Sequence, residues 1–173
     1  MPTRGQAIVL IGFMGTGKSA TGLILARRTG HPLLDTDEMV SAHFGLPVPE
    51  IFASFGETAF REIETKVLGE LPSNSAGIVV TGGGIVLRSE NVRRLRELGR
   101  VICLEADLET LLKRLSNRGP RPLLQTEDPR ATLTQLLRAR DSRYREAADI
   151  RVDTSCLTPD QVADTVLKRL EKL

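Results

Sequence analysis

The feature that most constrains this chain lies near its start, where the run Ala7-Ile8-Val9-Leu10-Ile11 passes directly into Gly12-Phe13-Met14-Gly15-Thr16-Gly17-Lys18-Ser19. An unbroken apolar run of strand length, with no polar alternation, suits a strand buried on both faces. The eight residues after it match G-x-x-x-x-G-K-[ST] in full, and residues 19–28 continue with the apolar positions Leu23, Ile24 and Ala26, which suit a helix. Glycines allow a tight loop whose backbone N–H groups converge on phosphate oxygens, and the helix adds the positive end of its dipole. In that arrangement Lys18 bridges the terminal phosphates and the Ser19 hydroxyl is a ligand of Mg²⁺.

The rest of the chain keeps alternating between strand and helix. Further strands are expected at 32–35, 77–81, 101–104 and 149–153. Helices are expected at 36–44, 50–55, 57–71, 88–98, 108–115, 130–147 and 159–173, with Pro47 and Pro49 marking a break and Gly99 a C-cap. Short β-branched strands separated by helices call for a five-stranded parallel sheet covered on both faces, a three-layer α/β fold. The length of 173 residues fits a single domain spanning 1–173. Residues 116–129 form a loop rich in Gly, Pro and Arg.

Composition narrows the class further. With 40% hydrophobic and 27% charged residues the chain is an ordinary globular sequence, and disorder or a collagen-like structure is excluded. The apolar run is too short to span a membrane and leads into a glycine loop rather than a cleavage site, so a cytoplasmic protein without membrane partners is expected. Cys103 and Cys156 show no metal spacing and read as buried small apolar residues. The cations are 19 arginines and only 5 lysines, and residues 110–151 carry 10 basic against 5 acidic side chains. Such a basic segment raises a nucleic-acid partner, but aromatics are 3% and Trp is absent, so no stacking platform exists.

In parallel α/β sheets ligands bind beyond the carboxyl ends of the strands. Beyond the second strand stands Asp35-Thr36-Asp37. Phosphoryl transfer to a hydroxyl needs a carboxylate that takes the hydroxyl proton, and the same pair equally suits a helix N-cap followed by a first-turn acid. Beyond the third strand stands Gly82-Gly83-Gly84, whose entropic cost suggests a sharp bend or close approach of a ligand. No acid ends that strand, so magnesium support falls to Ser19, water and the Asp35 region. No N-K-x-D guanine signature is present.

Together with the phosphate loop, the ordered set Asp35-Thr36-Asp37, Phe55-Gly56-Glu57 with Phe60-Arg61, Thr81-Gly82-Gly83-Gly84, Arg121-Pro122-Leu123-Leu124, and Arg140 with Tyr144 resembles the shikimate kinases over about residues 8–153. The resemblance implies a three-layer αβα P-loop kinase fold with a mobile lid at about 116–129. It also implies a cytoplasmic ATP-dependent enzyme that phosphorylates the 3-hydroxyl of shikimate in chorismate and aromatic amino acid biosynthesis. Shikimate and ATP are the implied partners and Mg²⁺ the cofactor; a monomer is expected. Residue by residue, Asp37 resembles the base that binds the substrate hydroxyls and Asp35, with Ser19, the metal support. Arg61 and Arg140 resemble the grip on the carboxylate, and Gly82, Gly83 and Gly84 the backbone contact to the acid. Gly15, Thr16, Gly17, Lys18, Ser19 and Ala20 resemble the phosphate loop of that family, Arg114 the neighbour of the adenine, and Arg121 a lid arginine that reaches the phosphates; Lys18 and Arg121 then join Asp37 as catalytic residues.

Read from sequence neighbours alone, Arg61 and Arg140 suit surface ion pairs with Glu57, Glu64 and Glu146. The segment Ser155-Cys156-Leu157 departs from the family pattern, which often has a basic or amide side chain there to pack on the nucleotide. Competing readings are a gluconate or nucleoside monophosphate kinase, which should lack the paired arginines around the three glycines, and an ATP-dependent regulator, which should have lost a catalytic group.

Overall fold

The computed structural model describes residues 6–73, 76–116 and 127–172. Five strands form one sheet in the order β2-β3-β1-β4-β5, with β1 at Ala7–Gly12, β2 at Leu33–Asp35, β3 at Ile78–Val80, β4 at Gly99–Glu105 and β5 at Ile150–Asp153. Every pairing is parallel. Among the described residues seven α-helices flank it: α1 Lys18–Thr29, α2 Thr36–Phe44, α3 Val48–Glu70, α4 Ser89–Leu98, α5 Leu108–Ser116, α6 Pro129–Ala147 and α7 Pro159–Leu170. A 3₁₀ turn at Ile85–Leu87, absent from the sequence reading, follows the glycine run.

The apolar run of β1 is buried at every position, as its lack of alternation requires. Val9 and Ile11 face one layer with Val79, Val101, Leu95 and Leu133, whereas Ile8 and Leu10 face the other with Ile102, Leu25, Val162 and Val166. A smaller cluster of Val40, Ile51, Phe60 and Val67 joins α2 to α3. The register aligns Asp35 with Val80 and Val80 with Leu10, so the ends of β2, β3 and β1 open onto one edge.

Several local expectations change. The helices expected at 50–55 and 57–71 run on as α3, but the backbone leaves helical geometry at Gly56 (φ 79°, ψ 173°), so the expected break is real although the hydrogen bonding bridges it. Gly99 stands at the end of α4 with its N–H on the Leu95 carbonyl, yet its φ of 165° is extended; a side chain is excluded there because a Cβ would strike the Ala7 backbone. In α1 it is Leu25, not Leu23, that enters the core; Leu23 is exposed. Cys103 is buried as expected, but Cys156 is exposed; both are free thiols. Burial pushes the Cys103 thiol up to about 12, keeping it protonated and inert at neutral pH. Arginines without a sequence-assigned role also join elements, as where Arg94 of α4 donates to the Leu68, Gly69 and Leu71 carbonyls at the end of α3. Among the described residues no helix is long and apolar enough to cross a membrane.

Candidate active site

The loop between β1 and α1 turns through Gly15 and Gly17 at φ 84° and 95°, left-handed values that favour glycine. No acidic side chain occupies the first turn of α1, so the dipole end of that helix carries no built-in counter-charge. Lys18 is buried and its ammonium donates to the Gly12 and Phe13 carbonyls at 2.8 and 2.9 Å. The Thr16 hydroxyl donates to the Phe13 carbonyl at 2.8 Å, closing the loop on itself. Ser19, at the start of the helix, is exposed.

Across the crevice Asp35 caps α2: its Oδ1 accepts from the Asp37 and Glu38 N–H groups at 2.9 and 3.4 Å. Asp37, in the first turn, is half-buried and lies beside the glycine run. A Cβ on Gly82 would sit 2.5 Å from Asp37 Oδ1 and 2.9 Å from Glu64 Oε1. A Cβ on Gly84 would fall inside the Arg61 guanidinium. The run does turn, closed by the Ile85 N–H on the Gly82 carbonyl at 3.2 Å, but none of Gly82, Gly83 and Gly84 has a positive φ, so the turn itself does not demand glycine. Its glycines are required because charged side chains of the protein press against its backbone. Gly83 extends the contact to the phosphate loop, where a Cβ would stand 3.4 Å from the Met14 N and 3.5 Å from the Gly12 O.

The two arginines expected as alternatives between a ligand grip and surface ion pairs separate clearly. Arg61 is 8% exposed and does pair, with Glu64 Oε2 at 2.7 Å and with Glu57 Oε1 at 3.1 and 3.2 Å. Glu64 is fully buried, and that burial holds its carboxyl above the usual range despite Arg61; Asp37 adds repulsion. Its Oε1 has no hydrogen-bond partner among the described residues. Arg140 is 6% exposed, donates to the Gly83 carbonyl at 3.3 Å and lies 5.5 Å over the Phe13 ring. No carboxylate pairs with it among the described residues, and Glu146 is exposed elsewhere on α6. Tyr144 donates to the same Gly83 carbonyl, and burial pushes its phenol up, which keeps that donor in place.

On the far side of the loop Arg114 donates to the Gly15 carbonyl at 3.2 Å, the Thr154 hydroxyl at 3.0 Å and the Thr154 carbonyl at 2.7 Å. Thr154, just after β5, also donates to the Thr16 carbonyl at 3.1 Å. A cavity of about 350 Å³ opens here, lined in part by Gly15, Gly17, Ala20, Arg114, Leu157 and Pro159. Among the described residues no three His, Cys, Asp or Glu side chains cluster as metal ligands.

A family model described as shikimate kinase matches residues 14–171. The chain belongs to the shikimate kinase family. Two shikimate kinases illustrate the likeness: that of Thermodesulfovibrio yellowstonii is 42% identical over 96% of this chain and 95% of its own, and that of Moorella thermoacetica 44% over 95% and 94%. The shikimate kinase of Acinetobacter baumannii, solved in complex with shikimate, superposes with a TM-score of 0.91 at 36% identity, covering 96% of this chain and 93% of its own. A gluconokinase from Sinorhizobium meliloti shares the fold alone, at a TM-score of 0.59 and 18% identity.

Of the residues expected from the shikimate kinase pattern, Asp37, Arg61, Gly82, Gly83, Gly84 and Arg140 come together beside the phosphate loop. Arg114 stands on the other side of the loop at the 350 Å³ cavity, whereas Arg121 lies outside the described residues, as does most of the lid expected at 116–129. The pairing of Glu64 with Arg61 was foreseen but its burial was not, and Thr154 was not singled out at all. Glu64 lies one turn after Arg61, a spacing that reads as a surface pair, and Thr154 follows a strand end, which is the signal that would have flagged it.

Proposed function

We propose that this chain transfers the terminal phosphoryl group of ATP to the 3-hydroxyl of shikimate, with Asp37 as the base and with Arg61 and Arg140 holding the shikimate carboxylate. The observation that carries the reading is Arg140, a buried cation that has no carboxylate among the described residues and faces the glycine run. A buried charge is costly unless paired, so this position calls for an anionic ligand. A small, rigid acid with ring hydroxyls suits the place: its carboxylate meets a planar guanidinium, and its hydroxyls fall towards Asp37 on the other side of Gly82.

The phosphate loop, with residues Gly15 to Ala20, would hold the triphosphate, and the cavity beside Arg114 would take the adenine, packed on Leu157 by apolar contact. Lys18 would turn from the loop carbonyls to the phosphates, and Arg121 would join it as the charge moves. Mg²⁺ fits this donor set. The Ser19 hydroxyl and the Asp35 carboxylate are hard oxygen donors, and this ion needs few protein ligands when phosphates and water complete its shell. One Asp35 oxygen is already committed to the cap of α2, so its support would be by the other. When bound, the ion supplies neutralisation of phosphate charge. We take residues 1–173 as one catalytic domain acting as a monomer.

Purified protein with ATP and Mg²⁺, offered shikimate, quinate, gluconate and AMP in turn, should release ADP with shikimate above all. No stimulation by shikimate, or a stronger one by gluconate or AMP, overturns the reading. Asp37→Asn should lower turnover by about 10²-fold or more while ATP binding persists; near-normal turnover would remove Asp37 as the base.

A further inference from the structure

Arg61 meets more carboxylate than one guanidinium can neutralise. Of its five N–H groups, the Nε and one Nη2 hydrogen point at Glu57 Oε1, and one Nη1 hydrogen points at Glu64 Oε2. One face of the group is pressed on Gly84, and Asp37 stands against Glu64 across Gly82. One positive charge thus faces two bonded carboxylates and a third close by. A ligand carboxylate brought to Arg61 adds a further negative charge where screening is weak, and a resident carboxylate must give way.

The structure decides which. Glu64 is fully buried, and parting from Arg61 would leave it out of water beside Asp37 with only the weaker attraction of Arg88. The Glu57 side chain is 47% exposed, so release leads directly to water. It also follows Gly56, where the backbone already departs from the helix and a Cβ would touch nothing within 4 Å. We propose that Glu57 is a built-in competitor of the substrate acid: it occupies the Nε–Nη2 edge of Arg61 in the empty site and yields that edge when the acid binds. The proposal rests on the reading of Arg61 and Arg140 as the carboxylate grip. An acid that reaches Arg61 alone gains too little to displace Glu57, whereas one that also reaches Arg140 gains a second ionic contact, so Glu57 acts as a threshold for selectivity.

Steady-state kinetics on Glu57→Gln tests this, since KM does not depend on the fraction of enzyme that is folded. An exposed ion pair is worth at most about 1 kcal/mol, so KM for shikimate should fall about two- to fivefold, with KM for ATP unmoved. Inhibition by acetate, an anion able to engage one arginine, should strengthen by a similar factor. A KM for shikimate that is unchanged or raised overturns the proposal, because Glu57 would then be inert or would be holding Arg61 in position. Arg61→Lys separates the two layers. If it leaves KM for shikimate unchanged, the grip itself is misread; if it raises KM while Glu57→Gln fails to lower it, only the competition is wrong.

Discussion

Arg140 is folded into the protein with little water and, among the described residues, no carboxylate to balance it, and the Phe13 ring and the Gly83 carbonyl offset only part of that cost. Its place is therefore maintained against stability. Arg140→Met, which keeps the length and removes the charge, should raise KM for shikimate about 10²-fold while the melting temperature of the ligand-free protein holds or rises. A comparable rise in KM for ATP, or a marked loss of melting temperature, would mark Arg140 as structural. Little of this was visible in the residues alone. Helical spacing pairs Arg140 with acids on its own helix, and only the tertiary approach of Gly83 and Phe13 distinguishes it from Arg61, which does find two such acids.

At the scale of elements, the strands were readable because each is short and bounded by glycine or an acid, and β1 in particular is an unbroken apolar run that suits a strand buried on both faces. What periodicity could not give was the closeness of packing. α1 approaches the sheet so tightly that a Cβ on Gly22 would overlap Val80, whereas a Cβ on Gly69 near the end of α3 would meet nothing within 4 Å. Both are helical glycines, and alanine gains about 0.5–1 kcal/mol at an open helical site, while overpacking a core contact costs about 1–3 kcal/mol. Denaturant titration should therefore show Gly22→Ala less stable and Gly69→Ala more stable than the parent. The same sign for both would mean that contact at Val80 does not decide the outcome. Gly99 is the cap of α4 that the sequence suggested, but what requires glycine there is the touch of β4 on Ala7, a long-range contact that local sequence does not encode.

Across the whole molecule, two arginines of the basic segment 110–151, Arg114 and Arg140, are turned inward to the phosphate loop and the glycine run, whereas Arg130, Arg138, Arg143, Arg145 and Arg151 are exposed. The buried charges also set how stability responds to pH. Glu64 is held above its ordinary value of 4.5 in the folded state, so the fold binds its proton more readily than the unfolded chain does. Its contribution is then fully present below about pH 4.5 and is lost as pH rises through the folded value. The difference in unfolding free energy between the parent and Glu64→Gln should accordingly move against the parent between pH 4 and 7, and movement in its favour would contradict the burial argument. The bridge from Arg114 to Gly15 and Thr154 has a consequence of another kind. In the proposed arrangement the cavity for the adenine and the loop for the phosphates are tied by one side chain across residues 15, 114 and 154, so they would not be separate modules. Redesign around Leu157 to accept a different base should carry through Thr154 into the phosphate loop, and selectivity for the nucleotide could not be retuned without also altering how tightly its phosphates are held.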